Sequence, residues 1–275
     1  MDQERCPACE RVLQPSQFTS EICEDCEAAL GNEREARFLY LDIERTPDLS
    51  LHYGLKQNWM NWRNIVQEGT LISIQWAWND RDVQTLCVSA DDHRNDKALV
   101  EKAHELLNKA DIVIGHNLDR YDLPQLVWRM LQQGLEPVSH YQTIDTLKEA
   151  KKLFKQASMS NSMANLCHKL GMPLKGKITQ EQWNDFALNG GQEVLDEIDT
   201  YGAQDIVCNR DLYKLLRPWM KNHPHMRAFS GVDLVCRNCG SEELLRDGIH
   251  VTRSGTRYKQ YKCSCCGAYT KGGRL

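Results

Sequence analysis

From about residue 36 to 225 the chain alternates two patterns. Short runs are apolar throughout or apolar at every second position. Longer segments repeat their apolar side chains every three to four residues. The first pattern marks strands and the second amphipathic helices. Phe38 to Glu44, Thr70 to Trp78 and Val83 to Val88 read as three strands, and Asp111 to Gly115 as a short buried one. Asn95 to Ala110 is helical by composition. Asp122 to Gln133 predicts a helix that starts on a carboxylate and is closed by Gly134. Further helices are expected around 145–154, 159–170 and 179–189, with a long one from about 192 to 216. Strands first, then strand–helix alternation, predict an α/β domain: a sheet with helices on its faces. Beyond residue 226, Leu244 to Thr252 and Thr256 to Lys262 read as strands about a turn at Ser254-Gly255.

Carboxylates interrupt these elements at telling places. Asp42 and Glu44 are two apart on a strand, so they project from one face while Leu41 and Ile43 turn into the core. Tyr201 and Asp205 are four apart and share a helix face with Val194, Ile198, Cys208 and Leu212. A buried carboxylate in such a stripe wants a cation, either a metal or a nearby Arg. In Gly115-His116-Asn117-Leu118-Asp119-Arg120-Tyr121-Asp122, the preferred candidate is Asp122 over its rival Asp119, because a first helical turn holds a carboxylate stiffly and favours its charge. Asp145 reads as an N-cap. An isolated Asp-x-Glu pair is ordinarily a solvated strand end. Four carboxylates converging in this order are instead what divalent ions beside a phosphate require, and they point to metal-dependent phosphodiester hydrolysis.

The twelve cysteines divide the chain further. Eight fall into Cys-x-x-Cys pairs, two near each terminus. Cys6, Cys9, Cys23 and Cys26 form one candidate Zn²⁺ tetrathiolate, and Cys236, Cys239, Cys263 and Cys266 another, the second with the strand content of a zinc ribbon. Cys87, Cys167 and Cys208 read as ordinary buried thiols, and Cys265 as the less favoured rival ligand in the last pair. Three units are expected: a finger over 1–35, a catalytic domain over 36–225 and a ribbon over 226–275. Arg217 to His225, with Pro218 and Pro224, is the expected hinge, and His223 and His225 are read as linker polarity. Net charge is −4, so affinity for a polyanion must be local. Residues 226–275 hold nine Lys or Arg against four Asp or Glu. Among them Arg253, Arg257, Lys259 and Lys262, interleaved with Tyr258, Tyr261 and Tyr269, form a candidate strand-tracking surface. The finger, with nine acidic residues against three basic, reads instead as structural or as a protein contact. There is no apolar run near 18 residues and no apolar leader, so the expectation is a soluble cytoplasmic protein with no membrane partner.

Taken together, the three signatures resemble those of the DEDD exonucleases of the ribonuclease H-like superfamily, in the tyrosine subclass. The run Asn117, Tyr121-Asp122, Leu123-Pro124 is most similar to family B polymerase proofreading domains. Thr143 to Leu147, Leu170-Gly171 and Leu216 to Trp219 resemble stand-alone bacteriophage exonucleases, which would place the protein in a bacterial host's cytoplasm. The resemblance implies a ribonuclease H-like mixed sheet. It implies two Mg²⁺ or Mn²⁺ ions held by Asp42, Glu44, Asp122 and Asp205, with Tyr201 orienting the attacking water. It implies release of 5′-nucleotides from the 3′ end of DNA, or of RNA, with Asn117 near the substrate. Arg45 departs from the family, which usually has a small Thr or Ser there. A structure-selective endonuclease on the same fold and a catalytically weak nucleic-acid-binding adaptor are the rival readings.

Overall fold

The computed structural model describes residues 35–52, 61–173, 176, 178–230 and 232–275, together with the backbone of Glu4–Arg5 and Val12–Leu13, which pair as two short antiparallel strands. The four cysteines of the expected finger lie outside the described residues. Five strands make the central sheet: β1 Phe38–Arg45, β2 Leu71–Trp78, β3 Gln84–Cys87, β4 Ile112–Gly115 and β5 Gln142–Asp145. Their spatial order is β3-β2-β1-β4-β5. The β1–β2 and β2–β3 pairs are antiparallel, and β1–β4 and β4–β5 are parallel. The mixed sheet follows from the connections. A tight turn after Trp78 joins antiparallel neighbours, whereas α1 (Lys97–Lys109) and α2 (Asp122–Gln132) are the crossovers that parallel neighbours need. α3 (Thr146–Phe154), α4 (Met163–Lys169), α5 (Gln180–Asn189) and α6 (Gln192–Leu216) complete the domain.

Strand alternation assigns the two faces. Leu39, Leu41 and Ile43 on β1, with Ile72, Ile74 and Trp76 on β2, pack against α1, α2, Phe186 and the first turns of α6. Tyr40 and Ala77 face the other way, into a second cluster with Ile144, Ala150, Leu166 and the later turns of α6. The polar residues Asp42, Glu44, Ser73 and Gln75 therefore share that second face. Burial at α6 positions 195, 198, 202, 205, 206, 209, 212, 213 and 216 follows the helical period, which lays this helix along the sheet. A second anchor lies under the first face. Asp96, 2% exposed, receives Arg129 Nε and Nη2 at 2.7 Å each, Gln133 Nε2 at 3.1 Å and the Leu71 amide at 3.1 Å.

The ribbon has three antiparallel strands, β6 Leu244–Val251, β7 Arg257–Cys263 and β8 Tyr269–Arg274, in sequence order. β8 is the strand that Tyr269-Thr270-Lys271-Gly272 does not announce by apolar alternation. The expected hinge is not a free linker. Arg217–Trp219 forms a 3₁₀ turn that accommodates Pro218 at its start, and Met220, His223 and Met226 are buried. The Cys236–Cys239 knuckle grips this segment. Asn238 Nδ2 donates to the carbonyls of Arg217 (2.6 Å) and Met220 (3.3 Å), and Arg237 Nη2 to that of Lys221 (2.7 Å). Proline stops the α-helix, and the ribbon then binds carbonyls of the turn and segment that follow it, which ties the junction down. His223 likewise is not a linker residue. Its ring accepts the Tyr213 hydroxyl at 2.8 Å and donates through Nδ1 to the Pro224 carbonyl at 2.7 Å.

Candidate active site

Asp42 and Glu44 stand on β1 just past the residues that pair in parallel with β4, so they open towards the carboxyl ends of β1 and β4, where open α/β sheets place their ligands. Gln75 lies directly across from Asp42 on β2, and Ser73 across from Glu44. The third carboxylate comes from α6. Gly202 has its Cα against the Gln75 side chain: a Cβ there would lie 2.5 Å from Cδ and 2.6 Å from Oε1 of Gln75. Only glycine allows this approach. One turn on, it delivers Asp205 to the pair on β1. Gln75 also ties the helix down, with Nε2 donating to Asp199 Oδ1 at 3.3 Å, while Thr85 Oγ1 donates to Asp199 Oδ2 at 3.0 Å.

Asp42, Glu44 and Asp205 each offer a carboxylate oxygen, and these oxygens lie within 4.8 Å of one another. Three anions at that separation repel strongly unless a cation or protons intervene, so the donor set fits a divalent ion with oxygen ligands. Asp122 is not one of this trio. It is 3% exposed, and its Oδ1 accepts the Ile43 amide at 3.2 Å, which puts it beside the backbone between Asp42 and Glu44. Burial pushes its carboxyl up to about 7, with the Asp145 charge adding to the rise and the backbone amides opposing it. Asp119 is occupied elsewhere, with Oδ2 2.7 Å from Lys148 Nζ. Asp145 caps α3, accepting from the Leu147 and Lys148 amides at 3.0 and 3.2 Å, and it also accepts the Asn117 amide at 3.0 Å. That bond steadies the loop in which Asn117 takes φ of 71°. Tyr201 is half-buried, one turn before Asp205 on the same helix. Arg45 is turned to Asp48 Oδ1 at 2.6 Å and the Gly69 carbonyl at 3.3 Å, next to a bulge between Glu44 and Arg45.

Three residues at this site are not among the catalytic candidates that the sequence suggests. Tyr121, 40% exposed, borders the carboxylates, and its phenol pKa is raised by burial and by the charges of Glu44, Asp122 and Asp42. Gln75 and Ser73 are fully buried polar residues within an otherwise apolar strand. That break in the strand pattern was their available signal. In the ribbon, Cys236, Cys239, Cys263 and Cys266 bring their sulfurs within 4.8 Å of one another, with Cys236–Cys266 at 3.5 Å and Cys239–Cys263 at 3.6 Å. A tetrahedron of Zn–S bonds has sulfur–sulfur edges of about 3.8 Å, so this set fits zinc. Cys265 is exposed and outside the set. The basic residues of the ribbon do not form one surface: Arg257 and Lys259 lie on one face of β7 and Lys262 on the other, while Arg253 lies between β6 and β7.

Comparison with known proteins agrees with this architecture. No curated protein sequence matches the chain. Among solved structures, the family B DNA polymerase from the hyperthermophilic archaeon Pyrobaculum calidifontis superposes with a TM-score of 0.50 at 14% identity, over 82% of this chain and 32% of the polymerase. The chain thus spans about a third of the polymerase, and the likeness is one of fold. Among the described residues no helix is long and apolar enough to cross a membrane. The RNase_H_2 family model, of the RNase_H superfamily, matches residues 64–217, more than half of the sequence, and the chain belongs to that superfamily.

Proposed function

We propose that this protein is a metal-dependent nuclease that removes nucleotides from the 3′ end of DNA. The observation that carries the reading is the meeting of Asp42, Glu44 and Asp205, from a strand and a helix, within 4.8 Å on a domain of this superfamily. These three, with Asp122 alongside, would hold Mg²⁺ or Mn²⁺. Bound there, such ions supply Lewis acidity for activating water and neutralising phosphate charge. The chain's own part is placement. β1 fixes two carboxylates, Gly202 and Gln75 set the height of α6, and Asp122 braces the β1 backbone through Ile43. Tyr201 orients the attacking water through its hydroxyl. Water adds to phosphorus, the bond to the 3′ oxygen breaks, and that oxygen leaves with a proton from solvent. The product is a 5′-nucleotide. The ribbon, with zinc on its four cysteines, supplies affinity for nucleic acid, and the acidic segment 1–35 supplies a second zinc module and a protein contact.

The test is a 5′-labelled oligonucleotide incubated with Mg²⁺ or Mn²⁺, as single-stranded DNA, duplex DNA and RNA. Stepwise shortening from the 3′ end is expected, and it should vanish in Asp42→Ala and Asp205→Ala. Internal cuts would favour the structure-selective endonuclease. Near wild-type cleavage by either variant would remove the carboxylate assignment.

A further inference from the structure

The ribbon sheet is exposed on both sides and strongly basic. Residues 244–274 hold seven Lys or Arg against one Asp. The two faces are chemically different. β7 runs without interruption, because the irregularities fall on its neighbours: β6 advances three residues from Arg246 to Ile249, and β8 three from Lys271 to Arg274, while β7 advances two in each case. Its alternation therefore holds from Arg257 to Cys263, and antiparallel partners share a face.

On one face, Lys262 sits between Leu245 and Tyr269, and Tyr258 sits between His250 and Arg274. Lys271, paired with Gln260 between these rows, places Nζ 4.2 Å from the Tyr258 ring centroid. Tyr269 is 51% exposed. Asp247 lies against the Tyr269 hydroxyl, so three fixed cations face one carboxylate. On the opposite face, Arg257 and Lys259 are paired with Val251 and Ile249. The aromatic there, Tyr261, is partly covered. Arg246 lies 5.5 Å over its ring, and a Cβ on Gly272 would be 2.6 Å from its Cε2. Tyr261 is therefore less open to a base than Tyr269 on the first face.

We infer that the face bearing Tyr258, Lys262, Tyr269, Lys271 and Arg274 binds an unpaired nucleic-acid strand, and that the face bearing Arg257 and Lys259 does not. This rests on the nuclease reading for its ligand. Stacking on an exposed ring requires a base that is not in a duplex, and the cations between the two tyrosines receive phosphates. Tyr258 and Lys262 are four residues apart, about 13 Å along the strand, enough for a short stretch of extended nucleic acid. The grip of Asn238 and Arg237 on residues 217–221 holds this face at a constant offset from the carboxylates. Arg217, where that grip begins, lies about 18 Å along the helix direction from Asp205.

The experiment measures binding of a fluorescent 20-nucleotide single-stranded DNA to the full chain by anisotropy, with no added divalent cation, across a range of salt. Lys262→Glu/Lys271→Glu should weaken binding at least tenfold and flatten the log–log salt slope by about 1.4, since each phosphate that is no longer neutralised on a single strand removes about 0.7. Tyr269→Ala should weaken it by about fivefold or more, while Tyr269→Phe, which keeps the ring, binds as wild type. Arg257→Glu/Lys259→Glu should retain the wild-type affinity and slope. Zinc content is measured on every variant, so that a lost fold is recognised. The inference is overturned if Arg257→Glu/Lys259→Glu weakens binding as much as Lys262→Glu/Lys271→Glu, or if Tyr269→Ala binds as wild type. It is also overturned if fully paired duplex responds to Tyr269→Ala as the single strand does. Because binding is read without catalysis, absence of cleavage by the wild type in Mg²⁺ counts against the nuclease reading alone.

Discussion

Gly202→Ala isolates the placement of α6 from the chemistry of the carboxylates. The added methyl carbon would start 2.5 Å from Gln75 Cδ, whereas ordinary contact begins near 3.4 Å, so either the Gln75 amide gives way or helix and strand part by about 0.9 Å. Gln75 cannot easily yield, since it is fully buried and its amide is tied to Asp199. Two stability effects oppose each other. Replacing glycine within a helix gains about 1 kcal/mol. Overpacking a filled interior costs about 1–3 kcal/mol. The net loss should be no more than about 2 kcal/mol, and the protein remains folded. Activity is far more sensitive. A misplacement of about 1 Å costs on the order of 100-fold, or about 3 kcal/mol of barrier. Turnover at saturating oligonucleotide should therefore fall about 100-fold, KM should change little, and the Mn²⁺ dependence should move to higher concentration. The companion variant Gln75→Ala/Gly202→Ala opens space for the methyl and should recover much of the turnover. Wild-type turnover in Gly202→Ala, or no recovery in the double variant, would refute the claim that this close approach sets the site.

Three further outcomes follow from single observations. Asp122→Ala should reduce cleavage by at least about 100-fold, whereas Asp119→Ala should cost only a few-fold, since Asp119 is engaged by Lys148; the reverse order would transfer the role to Asp119. Arg129→Met should lower stability by about 3–5 kcal/mol in urea unfolding, because it leaves the Asp96 charge buried without its guanidinium; a loss under about 1 kcal/mol would mean that Asp96 takes up a proton or water instead. Burial lowers the His223 pKa to about 4 from the usual 6.5, so its contribution to stability is present above pH 6.5 and is lost as pH falls towards 4, by at most about 3 kcal/mol; His223→Phe should remove that part of the pH dependence, and an unchanged profile would refute it.

What the sequence disclosed and what it hid divide along a physical line. The helices were legible because each buries one face, and burial writes its period into the chain: α6 was expected from about 192 to 216 and spans Gln192–Leu216, whereas β2 and β4, buried on both faces, show as nearly continuous runs with few charges. The relation between neighbouring signatures was legible through spacing alone, as with Asp42 and Glu44. The features that escaped depend on what lies across from a residue rather than beside it. Gln75 and Ser73 have meaning only because β2 pairs in antiparallel register with β1. Gly202 matters only because α6 crosses β2 there. Proline carried a local message, that the helix stops, and the step from a stopped helix to a flexible hinge had no warrant, since Asn238 and Arg237, some twenty residues on, bind the carbonyls of the segment that follows. The ribbon shows the same limit: seven cations in thirty-one residues are visible as charge, but a strand has two faces, and only register tells which cations share one with an open tyrosine ring. The nuclease site and the ribbon therefore depend on one element in common. α6 carries Asp205 near its middle, and the segment directly after its end presents the Arg217, Met220 and Lys221 carbonyls that Asn238 and Arg237 bind, so disrupting the four-cysteine cluster should loosen the end of the helix whose placement the carboxylates require.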